Sequence, residues 1–202
     1  MTTPDLIGIA GYATTGKDTL AELLAKHAGY RVAHFADKLR QAVRLLNPMI
    51  DVLGRGEPFR YADAVDRWGY QETKFHHIYG TEVRRLLQVM GAEVGREMFG
   101  QDVWTDATLR SIKPSEKVVI ADVRFPDEVA AVEAAGGVVI RLHRPGIGPL
   151  NGHASETALD AVPFAGGSMI ELCNDGTPQQ MLDLAWRALG CVEKYRRTGA
   201  SA

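Results

Sequence analysis

The chain has 202 residues, enough for one α/β domain with a sizeable buried core and short for two independent ones. Hydrophobic residues make up 46% and charged residues 24%, an ordinary globular balance, and no apolar run reaches the length of a membrane span. The formal net charge of -2 argues against a general coat of nucleic acid, because the phosphate backbone calls for a basic excess. The two cysteines, Cys173 and Cys191, form no C-x-x-C and read as free thiols of a reducing compartment, with Cys173 expected in the core. The first residues lack a basic stretch ahead of an apolar run, so no secretory signal is expected.

In chain order, residues 6–10 are a short apolar run ending at Gly11 and predict a buried strand. Residues 19–28 carry Leu20, Leu23 and Leu24 at helical spacing. Residues 32–35 predict a second strand, and 36–46 return to helical period with Leu39, Val43 and Leu46 on one face. Residues 47–80, with Gly54, Gly56, Pro58 and several aromatics, predict an insertion of loops and short helices. Residues 81–98 are strongly amphipathic, with Val83, Leu86, Leu87, Met90, Val94 and Met98 on one stripe. Residues 102–112 predict a further helix. The β-branched run 117–121 (KVVIA) predicts a strand, and Pro126, Asp127 and Glu128 a helix start. A strand at 137–142 leads into a Gly- and Pro-rich loop, 143–163, and a short last strand covers 168–172. Thr177 and Gln180 fit the cap and third position of a final helix ending near Leu189, with a frayed tail beyond. This alternation predicts a parallel, doubly wound α/β sheet with helices on both faces, as one domain over residues 1–202.

The strongest signal is Gly11-Tyr12-Ala13-Thr14-Thr15-Gly16-Lys17-Asp18-Thr19. It matches G-x-x-x-x-G-K between an apolar strand and a helix, which is the context that the phosphate-binding P-loop requires. Gly11 and Gly16 let the backbone fold tightly, so that successive N–H groups from Ala13 to Thr19 point at phosphate oxygens. The following helix presents its positive end, and Lys17 adds a full charge. ATP and Mg²⁺ are the expected cofactors. Position 18 is Asp, where Ser or Thr usually holds the metal. Either Asp18 approaches Mg²⁺ through water, or Thr19 contacts phosphate and the metal is held elsewhere.

The P-loop with its trailing Asp-Thr is followed by Arg84-Arg85-Leu86-Leu87-Gln88-Val89-Met90-Gly91, then Asp122-Val123-Arg124-Phe125-Pro126-Asp127-Glu128, Arg144-Pro145-Gly146 and Asn174-Asp175-Gly176. In this order and spacing the motifs resemble the deoxynucleoside monophosphate kinases of tailed phages over most of the chain, 47–80 excepted. The Asp after the loop lysine is shared by that family and by the related phosphomevalonate kinases. The resemblance implies a donor site at residues 11–19 and an acceptor pocket lined by Arg85, Gln88, Gly91, Trp104, Asp122, Arg124 and Glu128. It implies a lid formed by Arg144 and the loop 143–163, and places Asn174 and Gly176 near the adenine. It further implies transfer of the γ-phosphoryl group of ATP to a nucleoside monophosphate, in a cytoplasmic setting (a host cytoplasm for a phage gene). The expected partners are small nucleotides, with no nucleic-acid polymer and no membrane, and a homodimer is left open.

Read for themselves, Asp122 and Arg124 follow a predicted strand, and ligands bind at the carboxyl ends of parallel strands. The acid can position an acceptor or a metal-bound water, and the arginine can fork onto a phosphate; a surface salt bridge is the plainer alternative. Arg85 and Gln88 share a helix face beside the apolar stripe, where a partly buried arginine would need an anion; Arg84 competes with Arg85 for that role. Asp37 and Lys38 stand after the second strand and offer either a phosphate contact or a first-turn charge pair. Trp104 can stack on a base, with Trp68, Tyr70 and Phe99 as rivals or core residues. His76, His77 and His153 show no ligand spacing and read as loop residues. Arg141 ends the strand before the lid, and Arg144 stands ready to neutralise transition-state charge. Lys17, Arg85, Asp122, Arg124 and Arg144 are thus the candidate catalytic groups. A same-fold kinase of another phosphorylated acceptor, of the phosphomevalonate or dephospho-coenzyme A type, and an ATP-gated switch are the rival readings. The switch is disfavoured because the strand 117–121 ends in one acid followed by an arginine rather than in paired acids.

Overall fold

A computed structural model describes residues 5–51, 57–149, 157–160 and 169–198. The residues group into two compact units, one of residues 1–35 and 108–202 and one of residues 36–107. The expected insertion at 47–80 falls within the second.

The first unit is built on five parallel strands: β1 (Asp5–Ala10), β2 (Arg31–Ala33), β5 (Lys117–Val123), β6 (Val138–His143) and β7 (Met169–Cys173). Their order is β2-β5-β1-β6-β7. The chain steps from β1 outward to β2, returns to β5, and then builds β6 and β7 on the other side of β1. This is the doubly wound topology, with its switch point at β1. The inner strands β1, β5 and β6 are largely apolar on both faces, as buried parallel strands are. Ile7, Ile9, Val119, Ala121, Ile140 and Leu142 pack with Leu20, Ala21 and Leu24 of helix α1 (Lys17–Ala28) and with Met181, Leu184, Ala185, Ala188 and Val192 of helix α8 (Pro178–Thr198). Leu6, Ala10, Val118, Ile120, Val123 and Val139 pack with Val129 and Val132 of helix α7 (Pro126–Ala134).

Three details depart from the sequence reading. β2 stops at Ala33 rather than Phe35, where the Phe35 N–H turns to the Asp122 carboxylate at 2.8 Å. α8 continues to Thr198 rather than ending near Leu189, because Ala185, Ala188 and Val192 keep the helical period on the buried face while Gly190 meets only open space. Cys173 is exposed at the end of the edge strand β7, not packed in the core.

The second unit holds α2 (Ala36–Leu46), the antiparallel pair β3 (Met49–Ile50) and β4 (Phe59–Arg60), α3 (Tyr61–Trp68), α4 (Tyr70–Phe75) and α5 (Gly80–Val89). Its core is Val43, Ile50, Tyr61, Tyr79, Val83 and Leu87. Burial pushes the Tyr61 phenol pKa up. After α5 the backbone continues as a π-helical segment, Met90–Met98. The wider turn rotates the apolar stripe out of phase, so Val83 and Leu87 are buried while Met98, predicted on the same stripe, is 70% exposed. Helix α6 (Val103–Leu109) is shorter at both ends than the expected 102–112. Among the described residues, no helix is long and apolar enough to cross a membrane.

Candidate active site

The P-loop fills the turn between β1 and α1. Gly11 and Gly16 hold φ of +138° and +102°, and Thr14 also lies at positive φ, +64°. At Gly11 a side chain is excluded twice, by its φ and by the Leu142 carbonyl oxygen, 2.3 Å from where a Cβ would sit. Thr15 is fully buried, and its Oγ1 donates to the Tyr12 carbonyl at 2.9 Å, closing the loop on itself. Lys17 is 7% exposed and donates to the carbonyls of Gly11 and Tyr12 at 2.7 and 2.6 Å. A buried ammonium needs acceptors, and here the loop's own backbone supplies them.

Asp18 opens the exposed side of α1. Its carboxyl is 80% exposed and its Oδ1 lies 3.7 Å from His34 Nε2. Thr19 is likewise exposed. An open carboxylate beside a phosphate cradle offers the hard oxygen donor that Mg²⁺ takes, usually alongside waters and substrate phosphates. Among the described residues, no three His, Cys, Asp or Glu groups converge as a protein-only metal site.

Asn174 and Gly176 follow the end of β7. Asn174 is 4% exposed, and its Nδ2 donates to the Thr15 carbonyl at 2.7 Å, so it braces the P-loop from the end of β7. Gly176 makes room for Gln180, whose Oε1 accepts the Thr177 N–H at 2.6 Å and would lie 2.3 Å from a Cβ at Gly176. That bond is half of the helix cap foreseen for Thr177 and Gln180.

At the carboxyl end of β5, a bulge inserts one residue: Gly8 pairs with Ile120 but Ala10 pairs with Val123. Bulges re-aim side chains, and Asp122 beside it turns its carboxylate to the Phe35 N–H. Glu128 is 4% exposed, and its Oε2 accepts the N–H groups of Arg124 and Phe125 at 2.7 and 3.2 Å. It caps α7 and fixes the backbone of Arg124 rather than lining a pocket. Arg124, Arg141, Gly11 and Tyr12 line one recess with Leu159 and Asp160. Arg144 is exposed beyond β6. Of the loop 143–163, residues 150–156, His153 among them, and 161–163 lie outside the described residues.

In the second unit, Gly91 and Trp104 are brought together: the indole Nε1 donates to the Gly91 carbonyl at 3.0 Å. The ring lies over Gly95, where a Cβ would sit 2.5 Å from Nε1. Arg85 is corrected from partly buried to 68% exposed, with its Nε on Glu82 at 2.8 Å, and Gln88 is exposed as well. Arg84 bonds the Lys74 carbonyl and covers the Phe75 ring. Asp37 pairs with Arg40 at 2.9 Å, the first-turn charge pair, and Lys38 is half-buried. Trp68 stacks with His76 and Tyr79 and is packing rather than a free platform. Sequence reading missed the links of Asn174 to Thr15 and of Asp160 to Tyr12, since partners more than a hundred positions apart leave no local pattern, and it missed the nearer link of Asp160 to Arg141, which a loop of no regular period creates.

Comparison with known proteins agrees with this geometry. The family model described as deoxynucleotide monophosphate kinase matches residues 62–183. A protein of Acanthamoeba polyphaga mimivirus, provisionally named a deoxynucleotide monophosphate kinase, is 29% identical over 170 residues, 78% of this chain and 83% of its own length. Among solved structures, a gluconokinase from Sinorhizobium meliloti 1021 superposes with a TM-score of 0.51 over 98% of this chain and 99% of its own, at 12% identity, a likeness of fold alone. With the family match spanning more than half of the chain, and a P-loop in its required setting, the chain belongs to the deoxynucleotide monophosphate kinase family.

Proposed function

We propose that the chain transfers the γ-phosphoryl group of ATP to the phosphate of a deoxynucleoside monophosphate, yielding ADP and the diphosphate. The observation that carries this reading is the buried Lys17 ammonium held on the carbonyls of Gly11 and Tyr12 within a loop whose backbone only glycine can close at Gly11. Such an ammonium exchanges two carbonyls for phosphate oxygens without leaving its cradle. In-line transfer between two phosphates needs no covalent enzyme intermediate, so the protein's part is positioning and charge neutralisation. Lys17 and the N–H groups of residues 13–19 hold the donor phosphates. Arg124, aimed by Glu128, and Arg144 neutralise charge on the transferring group. Asp18 would hold Mg²⁺ through water, and the ion would supply further charge neutralisation. Arg85, Gln88, Gly91 and Trp104 serve the acceptor by the family resemblance, and Lys38, from its place after β2, is a further phosphate contact; the exposure of Arg85 and Gln88 leaves them open to an incoming nucleotide. Asn174 acts on the donor through the shape of the P-loop.

The test is product analysis. Incubation with Mg-ATP and each deoxynucleoside monophosphate should give equimolar ADP and deoxynucleoside diphosphate by anion-exchange chromatography. ADP accompanied by inorganic phosphate, with no diphosphate formed, would mean an ATPase and overturn the reading.

A further inference from the structure

Beside the P-loop, Tyr12 and Arg141 meet Asp160, a residue that none of the motifs above contains. The sheet register sets this up: Ala10 of β1 lies opposite Val123 of β5 and Arg141 of β6. Arg141 and Arg124 therefore flank the start of the P-loop on its two neighbouring strands. Asp160, from a turn within the loop 143–163, joins them in the lining of the same recess. Its Oδ1 accepts the Tyr12 hydroxyl at 2.7 Å and Arg141 Nη2 at 2.7 Å, while Arg141 Nη1 donates to the Leu159 carbonyl at 3.1 Å. The hydrogen bond to Asp160 raises the Tyr12 phenol pKa, so the hydroxyl keeps its proton and donates. The recess these groups line retains about 10 Å³, the room of one water at most.

An oxyanion that receives a phenol O–H and a guanidinium N–H is bound by the donors a phosphate oxygen asks for. We propose that Asp160 is an internal stand-in for a substrate phosphoryl group. The incoming phosphate displaces the Asp160 carboxylate from Tyr12 and Arg141, and Arg141 becomes a further phosphate-holding residue of the reaction. The inference rests on the kinase reading above. The exchange is feasible because Asp160, the group displaced, is 38% exposed and can return to water, while the more buried Arg141, 15% exposed, keeps an anionic partner in both states. A phosphate dianion carries more charge than the carboxylate it replaces, and Arg124 lines the same recess.

The test compares wild type with Asp160→Asn, Asp160→Glu and Arg141→Lys. Each is assayed for the KM of ATP and of the acceptor, and titrated calorimetrically with inorganic pyrophosphate. Asp160→Asn keeps the shape and removes the charge. It should lower one KM about two- to fivefold and tighten pyrophosphate to a similar degree. Asp160→Glu restores the charge and should return both toward wild type. Arg141→Lys loses the fork and should raise the same KM about tenfold. Which KM moves tells donor phosphate from acceptor phosphate. Unchanged or raised KM in Asp160→Asn, or an unchanged KM in Arg141→Lys, overturns the inference. If wild type turns over no nucleotide, the kinase reading fails separately, and the pyrophosphate titration still decides the role of Asp160.

Discussion

Lys17 and Gly11 make different contributions to the same loop, and their substitutions should fail differently. The Lys17 amine bonds two carbonyls of its own loop, and on the proposed reading it exchanges them for phosphate oxygens. Lys17→Ala should lower kcat by about 10²- to 10³-fold, the usual loss when one preorganised charge-stabilising group is removed. ADP release at saturating substrates, with an unchanged far-UV circular dichroism spectrum, checks it. Gly11→Ala instead places a Cβ 2.3 Å from the Leu142 carbonyl at a φ of +138°. It should destabilise the protein by about 2–4 kcal/mol in urea unfolding and lose ATP binding with it. Both residues are legible in the sequence because the motif compresses their geometry into nine consecutive positions. Tyr12 and Asp160 are not, being 148 positions apart in a contact that only the sheet register creates.

At the level of elements, β7 and the P-loop are coupled by one side chain. Removing the Asn174 amide leaves the buried Thr15 carbonyl without the Nδ2 donor, so Asn174→Ala should cost about 1–3 kcal/mol of stability. It should also raise the KM for ATP more than that for the acceptor, which steady-state kinetics with each substrate varied in turn would show. β2 and β5 are joined at their amino ends by Glu116. The Arg31 guanidinium at 2.6 Å, with the Lys113 N–H at 2.9 Å, holds the Glu116 carboxyl at about 2, below its ordinary 4.5. A depressed carboxyl stabilises the folded state fully above its ordinary pKa, and that stability is lost as pH falls from 4.5 toward about 2. Thermal melting from pH 6 to pH 2.5 should therefore fall more steeply for wild type than for Glu116→Gln. The elements themselves were largely readable, since α2 carries Leu39 and Val43 at helical spacing, although Leu46, predicted on the same face, is exposed, and β5 is a β-branched run. The reading failed where a local signal met a tertiary one. Gly190 looks like a stop, yet α8 passes through it on the packing of Ala188 and Val192. Met98 continues the stripe of Val83, yet the π-helical segment turns it outward.

For the whole molecule, the doubly wound sheet follows from the alternation of apolar strands and amphipathic helices, and its order β2-β5-β1-β6-β7 puts the P-loop strand at the centre. Central placement gives the P-loop two neighbouring strand ends, and both supply an arginine. The sequence conveyed the presence of Arg124 and Arg141 but not that they line a common recess, because strand order is a property of the packed sheet. The identity of the acceptor was carried by the combination of motifs rather than by any one of them. The claim that this chain is a deoxynucleoside monophosphate kinase is tested most directly by a coupled ADP-release assay with Mg-ATP. The panel comprises the deoxy- and ribonucleoside monophosphates, with phosphomevalonate and dephospho-coenzyme A alongside. Acceptor-dependent ADP release with at least one deoxynucleoside monophosphate, lowered about 10²- to 10³-fold in Lys17→Ala, is the predicted result. Release only with a non-nucleotide acceptor, or release indifferent to every acceptor, would contradict it.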